Sequence, residues 1–255
     1  MGQKVLGNAA TQESTRARIY PMNSLARRVT AEAMGTAFLL AIVIGSGIMG
    51  ERLANGNAAI ALLGNTLATG AGLVALILTF GPISGAHLNP AVTLADAALG
   101  GTPWKEVPAY LMAQLAGAVC GTAAANVMFG LPVFFASHHA RAGAAQLFSE
   151  SVATFGLLAV ILSCARRRSS MTAFAVGAYI TAAYWFTSST SFANPAVTLA
   201  RSLSDTFAGI RPVDVPGFVV AQFLGAAAAT AVFWWLLPLR SKEEPELLVP
   251  HHEEE

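Results

Sequence analysis

The chain predicts an all-α membrane protein with six transmembrane helices plus two re-entrant half-helices, arranged as an inverted repeat. Three observations carry that prediction. Of 255 residues, 55% are hydrophobic and only 11% charged, and the mean hydropathy is +0.56. Apolar stretches long enough to cross a bilayer, which takes about 20 helical residues, occur at 31–52, 57–80, 107–130, 147–165, 171–190 and 214–238. Finally, seven residues occur twice: Asn89-Pro90-Ala91-Val92-Thr93-Leu94-Ala95 returns as Asn194-Pro195-Ala196-Val197-Thr198-Leu199-Ala200. In a chain this apolar, such an identity marks an internal duplication.

Each copy reads as the start of a short helix. Asn at the N-cap can serve the unpaired amides of the first turn, and Pro at N1 loses no hydrogen bond. The apolar run after each Pro is too short to span a bilayer. Two half-helices whose positive N-termini meet at mid-membrane make a site for something polar.

The rest of the chain fits the duplication. Repeat one runs over 32–130 and repeat two over 146–238, each as span, span, half-helix, span. Their last elements match from Val107-Pro108 through Gln114 to Ala118 and from Val215-Pro216 through Gln222 to Ala226. Their first elements match more weakly, through Glu32-x-x-x-Thr36 and Glu150-x-x-x-Thr154. Three spans per repeat is an odd number, so the second repeat must enter the membrane inverted. Residues 1–28 lack the apolar core of a signal peptide and read as a mobile cytosolic tail, while 241–255 read as an acidic, disordered cytosolic tail.

Loop charge sets the orientation. With both termini inside, Lys4, Arg16, Arg18, Arg27, Arg28, Lys105, Arg166, Arg167, Arg168, Arg240 and Lys242 are cytosolic, against Arg52, Arg141, Arg201 and Arg211 outside. Eleven against four obeys the positive-inside rule. Glycines at 70, 72, 117, 121, 177 and 225 are expected to let helices approach closely.

Several functions are disfavoured. A net charge of +1 gives no footprint for nucleic acid. Cys120 and Cys164 sit in apolar runs and are expected to be buried thiols. No nucleophile–base pair, phosphate loop or metal-ligand cluster is visible, so neither an enzyme nor a cofactor or metal is expected.

Asn89 and Asn194 are the first candidate site residues. If the half-helices meet end to end, both side-chain amides can donate to one solute oxygen in a region of positive potential. Such an oxygen cannot easily relay a proton, so the arrangement permits a neutral hydroxylated solute and disfavours cations. The residues ahead of each copy, Gly85, Ala86, His87 and Leu88 and then Thr190, Ser191, Phe192 and Ala193, are expected to expose backbone carbonyls along a pore, because irregular backbone survives at membrane depth only where protein or water satisfies it. His87 reads as a structural histidine. Glu32 and Glu150, ionisable groups inside spans, must have buried partners.

The ten residues Ser84-Gly85-Ala86-His87-Leu88-Asn89-Pro90-Ala91-Val92-Thr93 resemble the first signature of the aquaporin, or major intrinsic protein, family, and Ser191-Phe192-Ala193-Asn194-Pro195-Ala196 resembles the second. The resemblance covers roughly residues 28 to 240. It implies an aquaporin-like channel domain over 29–240, a homotetramer with one pore per subunit in membrane lipid, and small neutral solutes as the only other partners. It also implies that Glu32 and Glu150 accept hydrogen bonds from the re-entrant loops.

Water channels of that family usually carry Arg directly after the second Asn-Pro-Ala; here the residue is Val197. The nearest arginine, Arg201, lies one turn further along the same helical face, where it either reaches the pore mouth or pairs with Asp205. Carrying the family's constriction over by spacing gives Thr69, Ala182, Ser191 and Val197, all small and uncharged. That set predicts a wide filter passing glycerol, urea or trihydroxy metalloids. The pattern further resembles bacterial aquaglyceroporins of arsenic-resistance operons, which implies efflux of arsenite down its gradient across a bacterial inner membrane. A water-selective pore, a proton-coupled transporter using Glu32 or Glu150, and a structural membrane protein with a vestigial pore stand as alternatives.

Overall fold

Eight α-helices and one short 3-10 turn make up the computed structural model, which describes residues 24–166 and 170–237; among these there is no strand. In chain order the helices are α1 (Leu25–Leu53), α2 (Ala58–Ser84), α3 (Pro90–Ala98), α4 (Val107–Met128), α5 (Ala144–Arg166), α6 (Thr172–Phe186), α7 (Pro195–Arg201) and α8 (Val215–Leu236). The N-terminal segment, Arg167, Arg168 and Ser169, and the acidic tail lie outside the described residues.

Local chemistry explains the boundaries. Ser24 caps α1, its hydroxyl accepting from the Arg27 amide, and Asn57 caps α2 by accepting from the Ala59 and Ile60 amides. Gly85 ends α2 in the left-handed region at φ 87°, where a residue without Cβ carries no penalty. Among the described residues, five helices are long and apolar enough to span a membrane. The sixth expected span, 171–190, is shorter than its sequence suggested, since α6 has only 15 residues. The hydroxyl-rich run from Thr187 to Ser191 stops it: the Thr187 hydroxyl donates to the Ala183 carbonyl, and Thr190 and Ser191 turn left-handed at φ 62° and 49°.

Repeat symmetry is visible in the packing. Helix α4 lies against α1 at Gly117 and Gly121, where an added Cβ would collide with the carbonyls of Ala33 and Ala37. The same contact recurs between α8 and α5, with Gly225 against the Ser151 carbonyl. Across the two repeats, α2 and α6 meet where Gly70 faces Gly177. Cys120 corrects the expectation of two buried thiols: it is exposed on the outer face of α4, and Cys164 is only half-buried. In a membrane bundle the outer face is as apolar as the interior, so hydropathy cannot tell the two apart.

The half-helices α3 and α7 are held in mid-bundle by two buried carboxylates. Glu32 accepts from the amides of His87 (2.9 Å) and Leu88 (2.7 Å), from the Ser84 hydroxyl (2.7 Å) and from Gln114 Nε2 (2.8 Å). Glu150 accepts from the amides of Phe192 and Ala193 (both 2.9 Å) and from Gln222 Nε2 (2.6 Å). Each glutamine also donates to a half-helix threonine, Gln114 to Thr93 (2.9 Å) and Gln222 to Thr198 (2.8 Å), tying loop, half-helix and spanning helices into one unit. Glu32 and Glu150 have no exposed surface, and such groups are tolerated only when hydrogen-bonded throughout.

Two tests follow from this packing. Gly117→Val should destabilise the α1–α4 contact by about 1–3 kcal/mol, the usual cost of overpacking, and lower the detergent melting temperature, whereas Gly64→Val, at a helical position of α2 with open space around it, should have no comparable effect; equal effects would refute the close approach. Glu32→Ala strips the acceptor from four donors at roughly 1–3 kcal/mol for each buried donor left unmet, and should be worse than Glu150→Ala, which strips three. Melting temperatures in the reverse order would discard this account of loop support.

Candidate solute pore

The two Asn-Pro-Ala copies meet where α3 and α7 point their N-termini at one another. Asn89 Oδ1 accepts from the Ala91 amide (2.9 Å), and Asn194 Oδ1 accepts from the amides of Ala196 (3.0 Å) and Val197 (3.3 Å). Their amide nitrogens cross over: Asn89 Nδ2 donates to the Ala193 carbonyl and Asn194 Nδ2 to the Leu88 carbonyl, both at 2.8 Å. Each repeat thus braces the loop of the other. Pro90 and Pro195 occupy the first helical positions, where a missing N–H costs nothing.

Loop geometry repeats as closely as the sequence. Gly85, Ala86 and Leu88 have φ of 87°, 47° and 50°, and Thr190, Ser191 and Ala193 have 62°, 49° and 47°. Five of these six lack glycine's freedom, at about 1–2 kcal/mol each, and the carboxylate clamps and crossed amides oppose that strain.

One cavity of about 60 Å³ runs past both asparagines. A buried water needs roughly 10–15 Å³ by this measure, so the space is a narrow file. Its lining combines apolar residues of the spanning helices, such as Leu39, Val43, Leu73, Ile77, Val176 and Ile180, with Asn89, Asn194 and the loop residues Ala86, His87, Leu88, Ser191, Phe192 and Ala193. Gly85 and Thr190, expected among the exposed-carbonyl stretches, stand back from the cavity: Gly85 caps α2, and the Thr190 hydroxyl accepts from Arg141 Nη1 (3.3 Å). His87 lines the cavity, yet its ring is held by Thr93 Oγ1 (3.1 Å) on one nitrogen and faces Asp96 (3.6 Å) with the other. Among the described residues no His, Cys, Asp and Glu cluster is placed to hold a metal.

Of the four residues assigned to the constriction, Thr69, Ser191 and Val197 line the cavity and Ala182 does not. Ala182 is exposed on the outer face of α6. At 100° per residue, the face that turns inward there carries Tyr184, two positions on and therefore nearly opposite. Tyr184 lines the cavity and its hydroxyl donates to Thr69 Oγ1 at 3.3 Å. Spacing alone missed this because the hydroxyl-rich turn after α6 changes the rotational register. The cavity lining beside Thr69 is therefore not built from small residues only.

Arg201 also lines the cavity, and it does not pair with Asp205. Asp205 instead accepts from the His138 amide (2.8 Å) and contacts its ring (2.9 Å). Arg201 is 2% exposed, donates from Nε to the Ala208 carbonyl, and lies over the Phe192 ring at 3.3 Å from its centre. Arg141, 7% exposed, approaches the same ring at 4.9 Å and is bonded to the Gly209, Ser189 and Phe207 carbonyls and to Thr190. Burial lowers its pKa to about 10, which leaves it protonated at neutral pH. Nothing in the sequence connects Arg141 with residues 189–209. Gln114 and Gln222 did carry a signal, the same place in matched segments, though not one that revealed their role.

The family model described as Major intrinsic protein matches residues 21–184. Over 226 residues the chain is 53% identical to the aquaglyceroporin AqpS of Rhizobium meliloti (strain 1021), covering 87% of this chain and 97% of that protein. It is 34% identical over 231 residues to aquaporin NIP1-3 of Oryza sativa subsp. japonica, covering 87% and 79% respectively. The X-ray structure of the aquaglyceroporin from Plasmodium falciparum shares the fold with a TM-score of 0.64 at 22% identity, over 82% of this chain and 96% of that one. Paired Asn-Pro-Ala half-helices, a shared cavity and these likenesses together mean that the chain belongs to the major intrinsic protein family, whose members are membrane channels and not enzymes.

Proposed function

We propose that the chain is a passive channel for small neutral solutes of the glycerol kind: polyols, urea, arsenous acid and other metalloid hydroxides, together with water. The observation that carries this reading is the shared cavity between the two crossed asparagines. Each Nδ2 uses one hydrogen on the opposite loop carbonyl and keeps a second for a solute oxygen. A molecule with hydroxyls on one side and C–H surface on the other matches the mixed polar and apolar lining, and the carbonyls of Ala86, His87, Phe192 and their neighbours would accept from its hydroxyls. A bare cation would lose its hydration against a wall that carries no free carboxylate.

Thr69, Ser191 and Val197 serve in this reading as the outer filter, joined by Tyr184 in place of Ala182. Val197 leaves uncharged the position that follows Ala196, which favours solutes larger than water. The similarity to a protein named an aquaglyceroporin points the same way. Arsenous acid has glycerol's size and hydroxyl placement, so arsenite efflux down its gradient follows from the same filter. We further propose a homotetramer with one pore per subunit, in a bacterial inner membrane with both termini cytosolic, as the loop charges indicate.

A water-selective pore is the second reading, favoured by the Tyr184–Thr69 contact beside a narrow file. Proton-coupled transport through Glu32 or Glu150 has less support, because both carboxylates are engaged by the loops and neither lines the cavity.

Stopped-flow light scattering on proteoliposomes distinguishes the readings. The parent should pass glycerol and arsenous acid as well as water. Val197→Arg should lower glycerol and arsenous acid flux by about tenfold, equivalent to ~1.4 kcal/mol on the barrier, with a smaller effect on water. Water flux without glycerol flux in the parent would favour the water-selective pore, and equal loss of both solutes on mutation would remove Val197 from the filter.

A further inference from the structure

Charge at the outer end of the cavity comes from a different place than the residue after Asn-Pro-Ala. Arg201 uses Nε on the Ala208 carbonyl and its planar face on Phe192. Its two Nη atoms have no acceptor among the described residues, and they are not among the side-chain atoms fully enclosed by protein. Since Arg201 lines the cavity, those Nη groups are donors open to it.

Among the described residues no carboxylate neutralises this group. Asp205 is taken by His138, Asp214 accepts from Arg211 (2.9 Å) and the Arg141 amide (2.8 Å), and Glu150 is held by the second loop. Arg141 adds a second buried guanidinium on the same aromatic platform, with four acceptors of its own. Phe192 is fixed in turn by an edge-on contact with Phe218, ring centres 5.2 Å apart. The repeat clarifies the position: Arg201 stands in the second copy where Asp96 stands in the first, and Asp96 is occupied by the amide and hydroxyl of Thr102 (2.7 and 2.5 Å).

We propose that Arg201 is a specificity-determining residue, a displaced guanidinium that excludes cations from the outer end of the pore and donates to the oxygens of entering neutral solutes. Phe192 is its platform, and Arg141 is a positioning residue that fixes the loop beneath it. The proposal rests on the neutral-solute reading above. A fixed charge in a poorly solvated passage repels like charge far more strongly than it would in water, while a hydroxyl or carbonyl oxygen gains a charge-assisted donor.

Urea and guanidinium are nearly isosteric and differ in charge, so their permeability ratio in proteoliposomes reads the barrier directly. The parent should pass urea and exclude guanidinium. Arg201→Met should raise the guanidinium-to-urea ratio by roughly tenfold or more, whereas Arg201→Lys, which keeps the charge, should hold the parent ratio with slower urea entry. A Met variant that still passes urea at the parent ratio would overturn the proposal, as would a Lys variant that leaks guanidinium. If neither variant folds, the native protein decides: methylglyoxal, a small neutral dicarbonyl, should modify Arg201 before Arg141, and an Arg201 that stays unmodified overturns the proposal. A parent without urea or glycerol flux would defeat the solute assignment, and the labelling would still report on the placement of Arg201.

Discussion

A non-helical backbone at membrane depth must have every amide answered by protein, because lipid offers no acceptor. Glu32 and Glu150 provide that answer, and the rest of the structure depends on it. Each buried carboxylate takes two successive loop amides and a glutamine from the last helix of its repeat. The charge that would be prohibitive alone is solvated entirely by N–H and O–H groups. With the loops fixed, each half-helix begins at a set depth, and each asparagine can reach the carbonyl of the opposite loop.

Duplication makes this economical. One set of contacts, the carboxylate, the glutamine, the threonine and the asparagine, is used twice and joined by two crossed hydrogen bonds. The two copies diverge just beyond this shared frame. His87, Asp96 and Thr102 make a polar cluster on the first half-helix, while Phe192, Arg201 and Arg141 make an aromatic and cationic one on the second. A symmetric frame therefore holds an asymmetric passage, with its unneutralised charge on the side of the second repeat.

In the proposed function, selectivity arises from the balance between the apolar and the polar parts of the cavity lining. The apolar part offers only dispersion contact, and the polar part offers a few oriented donors and backbone acceptors. Val197 leaves one level of the cavity lining uncharged. Arg201, one turn away, retains a guanidinium at the next.

The sequence by itself determined the class of fold, because apolar length and the absence of charge are composition-level facts, and it determined the paired half-helices, because Asn-Pro is a helix start wherever it falls. It also marked Glu32 and Glu150 as needing partners, since a carboxylate in an apolar span has no other reason to be tolerated. Rotational register was left to the tertiary structure. Whether Ala182 or Tyr184 faces the cavity depends on how the Thr187–Ser191 turn ends α6, and Cys120 faces outward from a helix whose outer and inner faces are equally apolar. Tertiary structure also decided the partner of Arg201: spacing allowed Asp205 at the next turn, but His138, 67 residues away in sequence, holds that carboxylate and leaves the guanidinium to Phe192 and the pore. Contacts between segments so distant in sequence follow from how the helices pack, which no local pattern records.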